Sequence, residues 1–192
     1  MSLKTLENLV IAYISESVAR NKYIFYAKIA KNEGYIFISK VFLETAENEK
    51  EHAETLLELI QELRGDKSDV NVEIRIPIVL GNTIDNLRNS IEGEKYEHTK
   101  MYPEFAKIAE EEGLKDVAAR LKAIAEAEKH HEMRFKVLLS QIKDGTMFKR
   151  ETEIEWVCLE CGYIHKGREP PENCPSCGHP KNYYVAKDML CL

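Results

Sequence analysis

The chain contains 192 residues, of which 44% are hydrophobic, and it carries a formal net charge of −6 with an isoelectric point near 5.6. This length allows one well-packed core and a small second module, and the acidic balance argues against nucleic acid and anionic membranes as partners. The amino terminus lacks the pattern of a secretion signal, and no apolar run approaches the roughly 18 residues of a membrane span, so we expect a cytoplasmic protein.

Apolar side chains recur at spacings of three and four along four long segments, a pattern typical of bundle helices. The first segment runs from Leu6 to Ala30 and the second from Tyr35 to Leu63. The third runs from Ile84 to Ile108 and the fourth from Val117 to Ile142. Each segment predicts a helix of roughly 28 to 32 residues.

Turn residues indicate how these helices are connected. Gly34 and Gly113 leave room only for tight turns, so the first and second helices should be antiparallel, as should the third and fourth. The longer connection after the second helix contains Pro77 and several β-branched residues, which predicts an extended crossover. Because a single long crossover defines the ferritin-like topology, we predict a mainly α, ferritin-like four-helix bundle over residues 1–148.

The two helical pairs resemble copies of one another. The tetrapeptide Ala-Lys-Ile-Ala at 27–30 recurs at 106–109, and other residues recur at the same offset of 79. Glu16, however, corresponds to Glu94 at an offset of 78. This one-residue slip predicts an irregularity in the third helix, either a π-bulge or a kink at Pro103.

Charged residues interrupt the apolar stripes near the middle of each helix. Two Glu-x-x-His motifs, on the second and fourth helices, each place a carboxylate and an imidazole on one face, one turn apart. Five carboxylates at one level of an apolar core would be strongly destabilising unless protons or cations neutralise them, and two divalent metals are the simplest solution. Oxygen-rich ligation with two imidazoles favours iron or manganese. The candidate ligands are Glu16, Glu49, His52, Glu94, Glu97, Glu128 and His131.

The cysteines are confined to the last part of the chain. Two Cys-x-x-Cys-Gly motifs, separated by 12 residues, supply four thiolates for a tetrahedral metal site. Either iron or zinc fits such a site, and a structural zinc ribbon is the alternative interpretation of this module alone. The fifth cysteine, Cys191, is expected to be a free thiol. We assign residues 149–192 to this module, with Cys158, Cys161, Cys174 and Cys177 as its ligands.

Several segments together resemble the rubrerythrin family. They are ESVARNKY around Glu16, ENEKEHAE around Glu49, GEKYEHTKMYPEFA around Glu94, EKHHEMRF around Glu128, and the pair of Cys-x-x-Cys-Gly motifs. The match covers nearly the whole chain. It implies a bundle that holds two irons, followed by a rubredoxin-like domain whose four cysteines hold a third iron. Zinc can take the place of this third iron in a given preparation.

The resemblance also implies an activity, that of a non-haem di-iron peroxidase reducing hydrogen peroxide to water in oxidative-stress defence. It implies that Glu49 and Glu128 bridge the two irons. His52 and Glu97 would be alternative ligands of one iron that shifts between oxidation states. The second carboxylate at Glu97, three residues after Glu94, distinguishes this pattern from a plain ferritin set.

Two tyrosines in the bundle are candidate proton donors. Tyr23 and Tyr102 lie about two turns from Glu16 and Glu94, which suits them as hydrogen-bond donors beside the metal ligands. Simple aromatic packing in the core is the alternative interpretation.

Electrons must come from another protein, because the chain contains neither a Gly-x-Gly-x-x-Gly motif nor a Walker-type loop. We therefore expect NAD(P)H to act through a separate reductase, with a rubredoxin or a flavoprotein as donor. The resemblance implies a homodimer or a higher homo-oligomer. The rival hypotheses are a ferritin-like ferroxidase or iron-handling protein, and a helical scaffold carrying a structural zinc ribbon. A solvated helix face is the non-metal interpretation of the glutamates.

Overall fold

A computed structural model describes residues 4–65 and 69–191, in which long antiparallel helices precede a small sheet. Residues 66–68, at the start of the predicted crossover, lie outside the described residues, and the described part of the crossover, 69–82, forms no regular element. The predicted mainly α bundle is confirmed. Its helices are α1 (Lys4–Asn32), α2 (Ile36–Leu63), α3 (Thr83–Tyr96), a π-helix (Glu97–Met101), α4 (Tyr102–Glu111) and α5 (Lys115–Lys143).

The third helical element contains the irregularity that the one-residue slip predicts. Five residues, Glu97–Met101, form the π-helix, so the slip is absorbed there by a wider turn. Pro103 follows in the first turn of α4, a position that tolerates a residue without an N–H group. Of the two predicted alternatives, the structure therefore shows the π form.

The two tight turns have the same geometry, as the duplication predicts. Gly34 and Gly113 have φ angles of +86° and +81°, which side chains with a Cβ rarely adopt. The residue after each glycine donates its backbone N–H back to the helix, over 2.8 Å in both turns. Each turn thereby reverses the chain and aligns the two helices of its pair.

Each turn also contributes a glutamate that caps a helix of the other pair. The Glu112 carboxylate accepts the backbone N–H groups of Lys4 and Thr5 at 2.8 and 3.0 Å, at the start of α1. The Glu33 carboxylate accepts the N–H of Thr83 at 3.0 Å, at the start of α3. These contacts satisfy amide donors that a helix leaves unpaired at its N-terminus, and they tie the two pairs together.

A polar layer divides the hydrophobic core of the bundle into two clusters. On α1, for example, Leu9 and Ala12 belong to one cluster, Ala19 and Tyr23 belong to the other, and the fully buried Glu16 lies between them. The corresponding level of α2 and α5 also carries buried charged side chains between apolar ones. The fold thus places charged groups of all its long helices at one depth.

The small C-terminal module is a three-stranded antiparallel sheet with strand order β2-β1-β3. Its buried Trp156 and Tyr184 join the same apolar cluster as Phe37 and Leu138 of the bundle. The boundary that we predict after residue 148 falls in the irregular connection at 144–153. Within the described residues, no helix is both long and apolar enough to cross a membrane. The strands are β1 (Ile154–Cys158), β2 (Ile164–Gly167) and β3 (Tyr184–Ala186), with short 3-10 helices at Lys181–Tyr183 and Lys187–Cys191.

Candidate metal centres

Six of the seven predicted bundle ligands come together in the polar layer. They form two overlapping groups whose potential ligand atoms lie within 4.8 Å of one another. Glu49 and Glu128 belong to both groups, which is the arrangement required of bridging carboxylates. All the carboxylates are at most 1% exposed. One group is Glu16, Glu49, His52 and Glu128, and the other is Glu49, Glu94, Glu128 and His131.

Each histidine points one ring nitrogen at carboxylates from different helices. The Nδ1 atom of His52 lies 2.8 Å from Glu128 and 3.0 Å from Glu49. The Nδ1 atom of His131 lies 2.7 Å from Glu128, 3.2 Å from Glu49 and 3.7 Å from Glu94. Burial alone would lower the histidine pKa values, but these contacts raise the pKa of His52 to about 10 and raise that of His131 further.

Burial and mutual contacts govern the pKa values of the carboxylates as well. Burial, followed by the charge of Glu128, raises the pKa of Glu16 well above its usual value. Burial, with the charges of neighbouring carboxylates, raises the pKa of Glu94 to about 8. Burial acts on Glu128 in the same direction, but hydrogen bonds with His131 and His52 lower its pKa to about 2. The layer thus balances buried negative charge with protons, which divalent cations can replace.

The donor atoms fit two divalent cations. Two ligand atoms bound at right angles to one metal, each about 2.1 Å from it, lie roughly 3 Å apart, and the closest histidine–carboxylate separations are near that value. Among the described residues, one oxygen of Glu16 and one of Glu94, the Oε2 atom in each, have no hydrogen-bond partner. Such buried oxygens are costly unless a cation or a proton satisfies them.

Tyr23 and Tyr102 contact the carboxylates crosswise. The Tyr23 hydroxyl, on the same helix as Glu16, donates to Glu94, and the Tyr102 hydroxyl donates to Glu16. Burial, and next the charge of the contacted carboxylate, raises the pKa of each phenol well above 10. Both hydroxyls therefore keep their protons over the physiological pH range. Sequence spacing placed each tyrosine near the glutamate of its own helix, whereas the fold pairs it with the glutamate of the other pair.

Glu97 is the predicted ligand that the structure leaves outside both groups. It is the first residue of the π-helix, is partly exposed, and lines a cavity of about 330 Å³ together with Lys22, Arg75 and Tyr96. Burial of its carboxylate, followed by the charge of Glu94, raises the pKa of Glu97 well above the usual value. The carboxylate of Glu97 is therefore near enough to the polar layer to be repelled by its negative charges. The amine of Lys22 acts in the opposite direction.

One polar contact beside the site was missed by sequence reasoning. His98 of the π-helix approaches the buried Glu132 of α5, with 2.9 Å between Nε2 and Oε2. The other Glu132 oxygen accepts a salt bridge from Lys136 at 2.7 Å. This contact joins the π-helix to α5 at the residue after Glu97. The available signal was the position of Glu132, one turn after Glu128 on the same face of α5.

The two cysteine motifs fold into matching turns. In each, the glycine after the second cysteine has a φ angle of +76°, at Gly162 and Gly178. Its N–H group bonds the carbonyl of the first cysteine, over 2.9 Å to Cys158 and 2.8 Å to Cys174. The positive φ angle explains why glycine follows each motif. All four sulfurs are thereby directed to one place.

The four sulfur atoms have the separations of a tetrahedral site. Cys158 and Cys177 are 3.7 Å apart at Sγ, as are Cys161 and Cys174. Thiolates bound tetrahedrally at about 2.3 Å from a metal lie roughly 3.8 Å apart. All these cysteines are free thiols, as is the exposed Cys191, which lies outside the group. The structure therefore brings the four predicted cysteine ligands together at separations that suit a tetrahedral metal.

The fold and both centres define the class of protein. A helical bundle that offers Glu-x-x-His motifs and single glutamates to two metal positions is a ferritin-like di-metal carboxylate protein. The rubrerythrin family model matches residues 7–139, and the model of the rubredoxin-like domain of rubrerythrins matches residues 156–185. The chain belongs to the rubrerythrin family, which confirms the resemblance found in the sequence.

Named relatives are similar in sequence to this chain along nearly its full length. The chain is 58% identical to a putative rubrerythrin of Methanocaldococcus jannaschii, over 96% of this chain and 93% of that one. It is 46% identical to rubrerythrin-1 of Clostridium acetobutylicum, over 94% and 93% of the two chains. A solved structure of fully reduced, all-ferrous nigerythrin aligns with a TM-score of 0.62 at 33% identity, over 95% of this chain and 86% of that one. A bacterioferritin of Desulfovibrio desulfuricans, 23% identical with a TM-score of 0.66 over 74% and 82% of the chains, shares the fold.

Proposed function

We propose that this chain is a peroxidase that reduces hydrogen peroxide to water at a di-iron site, with electrons delivered through iron bound by its four cysteines. The observation that carries the proposal is the presence, in one chain, of two overlapping carboxylate–histidine groups and a complete four-sulfur site. A ferroxidase that passes iron into storage needs no thiolate-bound electron carrier. A scaffold with a zinc ribbon needs no buried carboxylate layer.

The proposed ligands follow the two groups, with Glu49 and Glu128 shared between the metals. Iron is favoured because a similar protein, nigerythrin, is described in an all-ferrous state. Two bound ferrous ions would supply the two electrons that, with two protons, convert one hydrogen peroxide molecule into two water molecules. The carboxylates would hold such cations in a buried layer, where charge interactions are stronger than in water.

The two tyrosines orient the carboxylates and keep protons near them. Each hydroxyl donates to a carboxylate oxygen, Tyr23 to Glu94 and Tyr102 to Glu16, and so fixes which oxygen remains available to a metal. Burial raises the pKa values of both phenols in the metal-free protein, so both are protonated hydrogen-bond donors there at neutral pH.

The cavity beside Glu97 is the proposed entrance for peroxide. It opens at the π-helix, and Lys22 and Arg75 line it next to Glu97. Its volume of about 330 Å³ is ample for so small a substrate. Glu97 is proposed as the alternative to His52 in binding one of the irons, since the π-helix holds it at the cavity side of the layer.

Electrons enter through the rubredoxin-like domain in this proposal. Iron bound by four thiolates accepts and releases one electron at a time, and its potential depends on hydrogen bonds to sulfur. The proposed donor is a rubredoxin or a flavoprotein reductase that uses NAD(P)H. We further propose a cytoplasmic homodimer or higher homo-oligomer that acts in oxidative-stress defence.

Steady-state turnover tests both parts of the proposal. Iron-loaded protein, supplied with a reductase and NADH, should oxidise NADH only when hydrogen peroxide is added. The Cys161→Ser variant, which loses one sulfur, should lose most of that turnover, whereas Cys191→Ser should retain it because Cys191 lies outside the site. Equal turnover in the Cys161→Ser variant would contradict the electron path, and turnover with oxygen alone would favour a ferroxidase.

A further inference from the structure

Tyr184 brings an additional polar group to the four-cysteine site. It lies on β3 directly opposite Cys158 on β1, so the two side chains project from the same face of the sheet. Its side chain is fully buried, as are the first cysteines of both motifs, Cys158 and Cys174. The phenol is therefore buried, on the face of the sheet that carries Cys158.

The Tyr184 hydroxyl is a buried polar group beside the four-cysteine site. Among the described residues, it makes no hydrogen bond of full geometry, although it lies beside the Cys174 sulfur. A phenol, whose ordinary pKa is about 10, keeps its proton at neutral pH and can donate it in a hydrogen bond. A thiolate is a stronger acceptor than a thiol, and a bound metal holds the cysteine as a thiolate.

We infer that the Tyr184 hydroxyl donates a hydrogen bond to the metal-bound Cys174 thiolate and so raises the reduction potential of iron in the four-cysteine site. The inference rests on the proposed function, because it requires iron at that position. Reduction adds one electron to the site, breaks no bond and leaves the proton on Tyr184. The ferrous site carries one more negative charge than the ferric site, so a hydrogen-bond donor stabilises the ferrous site more. Tyr184 thus acts through Cys174 and adjusts the reduction potential of the iron that passes electrons to the bundle.

Spectroelectrochemical titration of the full-length, iron-loaded protein tests the inference. The Tyr184→Phe variant removes one buried oxygen and keeps the ring, and the ferric-thiolate absorption reports the oxidised fraction at each applied potential. The matched control is Tyr183→Phe, because Tyr183 is adjacent and packs its ring on His179 with 4.5 Å between centroids. We expect Tyr184→Phe to lower the ferrous-to-ferric ratio at fixed potential about tenfold, a shift of about 59 mV for one electron. Tyr183→Phe should leave the potential unchanged.

The outcomes separate this inference from the proposed function. Ferric-thiolate colour with the same potential in wild type and Tyr184→Phe would overturn the role of Tyr184 and leave the peroxidase proposal intact. Absence of that colour in the iron-loaded wild type would overturn the electron relay and, with it, this inference. If the variant does not retain iron, redox-difference infrared spectra of the wild type provide the second measurement. A tyrosine C–O band that shifts on reduction and persists in Tyr183→Phe supports the hydrogen bond, and a band that does not shift refutes it.

Discussion

Replacing Tyr23 with phenylalanine should measurably weaken the metal-free bundle. The Tyr23 hydroxyl donates to Glu94, and both side chains are at most 1% exposed. Among the described residues, the other Glu94 oxygen has no hydrogen-bond partner, and its contact with His131 Nδ1 is 3.7 Å long. A hydrogen bond to a charged group contributes about 1.5 to 3 kcal/mol. Because the pKa of Glu94 is raised to about 8, the carboxyl is largely neutral at pH 7, and the lower end applies. We expect a loss of about 1.5 kcal/mol, which for a chain of this size lowers Tm by roughly 3 to 6 °C.

Thermal unfolding of the metal-free protein, followed by circular dichroism, measures this loss. The duplication predicts a similar decrease for Tyr102→Phe, because Tyr102 makes the equivalent contact with Glu16. Tyr163→Phe is the control, since Tyr163 is exposed outside the bundle. If Tyr23→Phe and Tyr102→Phe unfold at the same temperature as this control, the tyrosines are ordinary core aromatics whose hydrogen bonds to the glutamates do not stabilise the bundle.

Three further predictions concern the caps, the turns and the shared ligands. The contacts of Glu112 at the start of α1 lower the pKa of its carboxyl. The ionised carboxylate therefore stabilises the folded state above the unfolded pKa of about 4.3, and this stabilisation is lost as pH falls through the folded pKa. Glu112→Gln should therefore lower the free energy of unfolding by about 1 kcal/mol at pH 7 in denaturant titrations, and the difference should vanish near pH 2 if the assignment is right. Gly113→Ala forces a residue with a Cβ into a positive φ angle and should lower the free energy of unfolding by about 1 kcal/mol. Gly65→Ala is the control and should change that free energy by no more than about 0.5 kcal/mol. Equal effects of the two substitutions would show that the positive φ angle at Gly113 does not require glycine. Glu49→Gln alters a ligand common to both groups, so metal analysis after reconstitution should find less bundle iron than in the exposed control Glu51→Gln, and equal iron would contradict a bridging role.

Local sequence patterns predict most of the architecture. Spacings of three and four predict the long helices because an apolar stripe must face a core. The glycine turns are predictable because only glycine readily adopts the positive φ angles found at Gly34 and Gly113. The two Glu-x-x-His motifs and the two cysteine motifs are local as well, and the structure gathers their side chains into the expected groups.

What the sequence left open depends on packing between helices. A one-residue slip is compatible with a π-bulge or a proline kink. The structure shows a π-helix that contacts α5, a neighbour that local sequence does not specify. The crosswise contacts of Tyr23 and Tyr102 depend on how the two pairs face each other, which spacing along one helix does not encode. The contact between His98 and Glu132 likewise joins residues 34 positions apart on different elements.

Stopped-flow absorbance distinguishes a peroxidase that uses its thiolate-bound iron from a ferroxidase. The iron-loaded, fully reduced protein would be mixed anaerobically with hydrogen peroxide in one experiment and with oxygenated buffer in the other. We predict rapid oxidation by peroxide, with ferric-thiolate colour appearing as electrons leave the four-cysteine site, and slow oxidation by oxygen. Faster oxidation by oxygen than by peroxide, or oxidation of the bundle without any change at the thiolate-bound iron, would contradict this prediction.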